Sequence, residues 1–154
     1  MKPYVLERIP PNILSLFCQV REVVAQMPDV DLGTRSDGGR ATGRIDNGKI
    51  RISCHVLTRA LAACFPVKVK DGYFMGIWEH SWLVAEGGFT IDPYPVALVG
   101  GSILLDTGSG FSPWTRDGVY TEHSLSFEED PRFSEYVAKV TAAVRQTAEC
   151  LGCL

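Results

Sequence analysis

The apolar residues of this chain follow a helical period in some stretches and a strand period in others. From Asn12 to Met27, Ile13, Leu16, Phe17, Val20, Val23, Val24 and Met27 fall on one stripe, which predicts an amphipathic helix. Asn12 is its expected N-cap and Pro28 its stop. Cys18, at the edge of the stripe, reads as a small core residue. Leu57, Ala60, Leu61 and Cys64 make a second face at three- and four-residue spacing. They predict a helix capped by Ser53 and closed after Phe65 by Pro66, with Cys54 in the first turn and Cys64 a buried thiol. A last stripe of Phe133, Tyr136, Val137, Val140 and Val144 follows Asp130 as cap and Pro131 at the first helical position.

Between the second and last helices the period becomes two. Val67-Lys68-Val69-Lys70 alternates as a half-buried strand does, and Tyr73-Phe74 extends it past Gly72 unless Asp71-Gly72 makes a hairpin turn. Residues Glu79 to Ala85 read as a strand, Glu86-Gly87-Gly88 as a turn, and Phe89 to Asp92 as the partner strand ended by Pro93. Val96 to Leu105 fits either strands or a glycine-broken helix. Two stretches have no period. Asp29 to Gly48 carries five glycines and four aspartates and reads as a long polar loop. Asp106 to Gly118 is rich in Gly, Ser and Thr yet contains Phe111 and Trp114. Both are expected at the mouth of a cleft around Cys54, the first as a mobile flap. Helices flanking consecutive strands give an α+β class: a cysteine-bearing helix on a mainly antiparallel sheet, with N- and C-terminal helices beside it.

The 154 residues suit one domain spanning 1–154, and 45% hydrophobic with 21% charged residues is an ordinary globular composition. A net charge of −3 with scattered basic residues argues against a nucleic-acid partner. The N-terminus lacks an apolar signal region and no apolar run is long enough to span a bilayer, so a soluble cytoplasmic protein without a membrane partner is expected. Five irregularly spaced cysteines do not look like a disulfide framework, and Cys150-Leu151-Gly152-Cys153 reads as an incidental pair on a fraying tail. No residue pattern asks for a cofactor, and none sets an oligomeric state.

The candidate chemistry centres on Cys54, His80 and Asp92. A cysteine attacks a carbonyl as the thiolate, so a catalytic thiol needs that form stabilised. A helix N-terminus supplies part of this, and an imidazole supplies more as proton acceptor and then as cationic partner. A carboxylate fixes the tautomer and orientation of the imidazole. Cys54 has the helix position, and a hairpin around Gly87-Gly88 would bring together His80, near the start of one strand, and Asp92, at the end of the next. His55 competes for the role of base, but neighbours on a helix point apart. His123 lies among polar residues and reads as solvent-facing. A zinc site from Cys54, His80 and Asp92 fits by residue type but lacks the close ligand pair zinc usually recruits. Trp82 is expected as core beside His80, while Trp78, Phe111 and Trp114 are the candidate substrate-binding residues.

Cys54 at a helix start, His80-Ser81-Trp82 on a strand and Ile91-Asp92-Pro93 ending the next together resemble the core of the transglutaminase-like superfamily, with its papain-like proteases, amidases and acyltransferases. The match covers about residues 50–95 and departs at Arg51-Ile52-Ser53, where family members carry a glycine or aromatic residue before the cysteine. The resemblance implies one transglutaminase-like domain with a papain-like cysteine hydrolase core. It makes Cys54 the nucleophile, His80 the general base and acid, and Asp92 the orienting carboxylate. The implied activity is hydrolysis of an amide or peptide bond in a peptide, protein or small amide substrate through an acyl-enzyme. The alternatives are transglutaminase-type amine transfer on the same residues, or a non-enzymatic domain that keeps the fold to bind a protein partner.

Overall fold

The computed structural model describes residues 9–28, 30–31, 44–46, 49–94, 102–105, 120–127 and 130–154. In chain order the described elements are α1 (Pro11–Gln26), β1 (Val30–Asp31), β2 (Arg44–Asp46), β3 (Lys49–Arg51), α2 (Cys54–Ala62), β4 (Lys68–Phe74), β5 (Trp78–Val84), β6 (Thr90–Asp92), β7 (Ile103–Leu105), β8 (Tyr120–Glu122) and α3 (Pro131–Cys150). Among the described residues the fold is α+β, with three helices and a curled antiparallel sheet of five strands in the order β7-β6-β5-β4-β8.

The helices start where local chemistry allows. α1 begins two residues earlier than an Asn12 cap would set it, because Pro11 occupies the first turn and Pro10 stands at the N-cap without a side-chain cap. A proline's fixed φ and missing N–H cost nothing there, so Asn12 lies inside the helix and is exposed rather than capping it. Cys18 is also exposed and belongs to the solvent side of the helix. α2 keeps its expected cap: the Ser53 hydroxyl accepts from Val56 N at 3.3 Å. Asp130 accepts from Arg132 N at 2.9 Å at the head of α3. At its other end α3 closes on Gly152, at φ 72°, with Gly152 N bonded to Glu149 O and Cys153 N to Ala148 O. This is a Schellman cap, which satisfies carbonyls that the helix leaves unpaired. The Cys150–Cys153 segment is thus an ordered helix end rather than a fraying tail.

β4 runs through Gly72 without turning, and the hairpin to β5 closes at Met75-Gly76-Ile77 instead of Asp71-Gly72. Gly72 must be glycine for β8 to pair with β4: a Cβ there would collide with the carbonyl of Thr121 and reach Glu122 Cα at 2.9 Å. β5 and β6 pair with Leu83 opposite Ile91 and Val84 opposite Thr90 around the Glu86–Gly88 turn, as the alternation predicts. Part of the stretch read as a polar loop forms a second sheet, in which β3 pairs parallel to β1 and antiparallel to β2. Its three strands are two or three residues long, too short to leave a period. Residues 32–43 and 106–119, which hold the proposed flap and the Phe111/Trp114 loop, lie outside the described residues.

The sheet has apolar residues on both faces. Leu83 and Ile91 join Leu57, Leu61, Val140 and Val144 in the main core between α2, α3 and the sheet. Phe74, Trp82 and Tyr120 form a separate small cluster. Strand alternation sends His80 to the face of Trp82 and Ser81 to the face of Leu83. Neighbouring residues of β5 therefore look out on opposite sides of the sheet beside the N-terminus of α2.

Candidate active site

Cys54 is the first residue of α2, 8% exposed and directly after the Ser53 cap. The thiol is free, and two imidazoles, His55 and His80, act on it. The positive end of the α2 dipole also faces this turn and favours a sulfur anion.

His80 is buried on β5, and its Nε2 lies 2.7 Å from Asp92 Oδ2 at the end of β6. That contact leaves Nδ1 for the sulfur. Asp92 is wholly buried and well supplied with donors: the Tyr120 hydroxyl donates a hydrogen bond to Oδ2 at 2.8 Å and Tyr94 N donates to Oδ1 at 3.3 Å. The Tyr94 hydroxyl in turn donates to Ile52 O at 3.3 Å, tying the end of β6 to the segment entering α2. Rings surround His80, with Phe74 and Tyr94 edge-on and Trp82 stacked at a centroid distance of 6.4 Å. Of the sequence-predicted trio, His80 and Asp92 are hydrogen-bonded and Cys54 interacts with His80, and Trp82 packs beside His80 as expected.

The charges follow from these contacts. Burial pushes the Cys54 thiol up, but hydrogen bonds to His55 and His80 and their positive charge outweigh it, bringing the pKa down to about 6. Burial acts to lower His80, but the charge and hydrogen bond of Asp92, reinforced by Cys54, raise it to about 10. Near neutral pH the pair is therefore a thiolate beside an imidazolium. Burial and the Asp92 carboxylate keep Tyr120 a neutral phenol, far above its ordinary range, so it remains a donor.

His55 also lowers the Cys54 pKa, an influence the argument that neighbours on a helix point apart did not anticipate. His55 is 4% exposed, and its Nδ1 lies 2.6 Å from Ser81 Oγ. Ser81 donates to Asp71, which accepts two bonds from Arg59, at 3.1 and 2.7 Å. The Arg59 guanidinium lies over the Phe127 ring at 4.5 Å, and that ring also flanks His55. Burial raises the Asp71 carboxyl, but Arg59 and Ser81 hold it below the usual carboxylate range.

Tyr120, Tyr94 and this His55 network are the site residues that sequence reasoning missed. The alternation of β5 was the available signal for Ser81, since a serine next to a buried histidine faces the helix side. Trp78 is 48% exposed at the β4–β5 hairpin, two residues before His80 on the same strand face, with its ring 6.4 Å from Phe74. Phe111 and Trp114 lie outside the described residues. His123 is exposed beside Tyr73 as expected, and Cys64 is half-buried against the main core with its sulfur 4.0 Å from Thr141 O. Among the described residues no cluster of three or more His, Cys, Asp or Glu side chains is arranged to hold a metal ion. No described helix is long and apolar enough to cross a membrane. No family model, curated protein or solved structure matches the chain.

Proposed function

We propose that this protein is a thiol hydrolase of amide or peptide bonds with a papain-like, transglutaminase-like core, working through an acyl-enzyme on Cys54. One observation carries the reading: a buried cysteine at a helix N-terminus acted on by an imidazole whose Nε2 is 2.7 Å from a buried carboxylate. That is the geometry a nucleophile, a base and an orienting group require.

In this mechanism the Cys54 proton passes to His80 Nδ1 before attack. The sulfur adds to the substrate carbonyl, and collapse of the adduct breaks the C–N bond while His80 gives its proton to the departing amine. A water then loses a proton to His80 as it attacks the thioester, and the Cys54 thiolate leaves as the acid product forms. Asp92 holds His80 in the tautomer that presents Nδ1 to sulfur, and the neutral Tyr120 hydroxyl holds Asp92. Amine transfer uses the same thioester with an amine in place of water.

The test is labelling of the five thiols with iodoacetamide across pH. Cys54 is expected to react fastest and to stay reactive down to about pH 6. His80→Ala should slow it markedly at that pH. A Cys54 no faster than the other thiols would rule out the mechanism.

A further inference from the structure

The mechanism uses one of the two histidines at Cys54 and leaves the other, with three connected polar side chains, without a role. Asp71 is held as a carboxylate by Arg59, so it can only accept. The hydroxyl of Ser81 donates to it, and Ser81 Oγ must therefore accept from His55. His55 Nδ1 consequently carries a hydrogen in either charge state, and that hydrogen is committed to Ser81. Phe127 closes over both His55 and Arg59, and Ser81 is wholly buried. A chain of four polar groups, oriented end to end and buried at its His55 and Ser81 end, fixes the ring of the residue that follows the cysteine.

We infer that His55 is a positioning residue for the nucleophile, held by Ser81, Asp71 and Arg59 so that it steadies the Cys54 sulfur independently of His80. The inference rests on the thiol-hydrolase reading and divides its labour. His80 must give its proton to the leaving group and regain one from water, so its charge is absent for part of each cycle. His55, with Nδ1 tied to Ser81, stays in one orientation throughout, and in its charged form it turns its second N–H to the thiolate when it attacks and when it is expelled. Among the described residues, the titratable and charged groups facing this pair are Arg59 from α2, Asp71 from β4, His80 from β5, Asp92 from β6 and Tyr120 from β8. From the segment entering α3, the uncharged Phe127 ring packs against His55.

Iodoacetamide labelling of Cys54 in the full chain, followed by peptide mass spectrometry, separates the possibilities. Ser81→Ala removes the acceptor that fixes His55. His55→Phe removes the imidazole while keeping a ring against Phe127. Each should move the acid limb of Cys54 labelling up by about one pH unit, which is about tenfold slower reaction near pH 6. Ser81→Ala decides the matter if His55→Phe fails to fold. Profiles of these variants that superpose on wild type, while His80→Ala shifts, would overturn the role of His55 and leave the thiol-hydrolase reading standing. A wild-type limb at the position of an ordinary thiol, untouched by His80→Ala, would sink both.

Discussion

Cys54 and His80 exchange a single proton within a buried site, and the direction of each shift sets the working pH. Cys54 titrates near 6 rather than 9.0, so the thiolate forms as pH rises through about 6. His80 keeps its proton until about 10, so the imidazolium that must protonate the leaving amine is lost only above that. Turnover should therefore rise through about pH 6, stay level, and fall through about pH 10, a profile measurable by steady-state kinetics once an amide substrate is found. Asp92 is the residue on which this pair depends. It accepts from Tyr120 and Tyr94 and holds Nε2 of His80, so Asp92→Ala strands three partners, whereas Asp92→Asn keeps an acceptor oxygen. Asp92→Ala should lower turnover by about a hundredfold or more, and Asp92→Asn should retain more of it. Kinetics paired with thermal melts check this: if both variants turn over like wild type, the carboxylate has no part in the chemistry.

The elements that carry these residues differ in how plainly the chain announces them. Ser53 before an apolar stripe specifies both the start of α2 and the place of Cys54, because a cap residue has one favourable position on a helix. The β5–β6 hairpin is legible for a similar reason, since Gly87 and Gly88, at φ 80° and 85°, supply the turn between alternating runs. β8 left no signal. It is three residues long, and pairing with distant β4 decides it rather than local pattern. His55 was misjudged because helix geometry alone predicts where its side chain starts, not that Ser81 and Asp71 draw the ring across. Two substitutions probe the elements. Ser53→Ala should cost about 1 kcal/mol of stability by removing the cap, read from chemical denaturation. Gly72→Ala should do more to the site than to the core, because a Cβ there forces β8 off β4 and with it Tyr120 from Asp92. Its expected signature is slower Cys54 labelling at low pH in a protein that still melts cooperatively. A labelling profile identical to wild type would mean that β8 tolerates the displacement and that Tyr120 does not govern the site.

At the scale of the molecule, stability and site geometry rest on different apolar clusters. The main core joins α1, α2, α3 and one face of the five-stranded sheet, and contains most of the fully buried side chains. The cluster of Phe74, Trp82 and Tyr120 is small, lies on the face that carries His80 and Asp92, and contributes the rings that enclose the imidazole. Such a division lets the site be altered without dissolving the fold, and it has a measurable consequence. Val144 is fully buried in the main core on α3, so Val144→Ala should lower stability by about 2 kcal/mol through lost methyl burial and the cavity left behind. Below its melting temperature it should label at Cys54 with the wild-type pH profile, because no contact of Cys54, His80 or Asp92 is removed. Trp82→Leu removes the ring stacked on His80 and the partner of Tyr120 at 4.9 Å. It should shift the Cys54 labelling profile to higher pH, as His80 loses the packing that fixes its orientation toward sulfur. Melting curves and labelling profiles measured on the same two proteins decide the point. If Val144→Ala moves the profile as far as Trp82→Leu does, the two clusters are one mechanical unit, and the geometry of the site depends on the whole core rather than on the rings around His80.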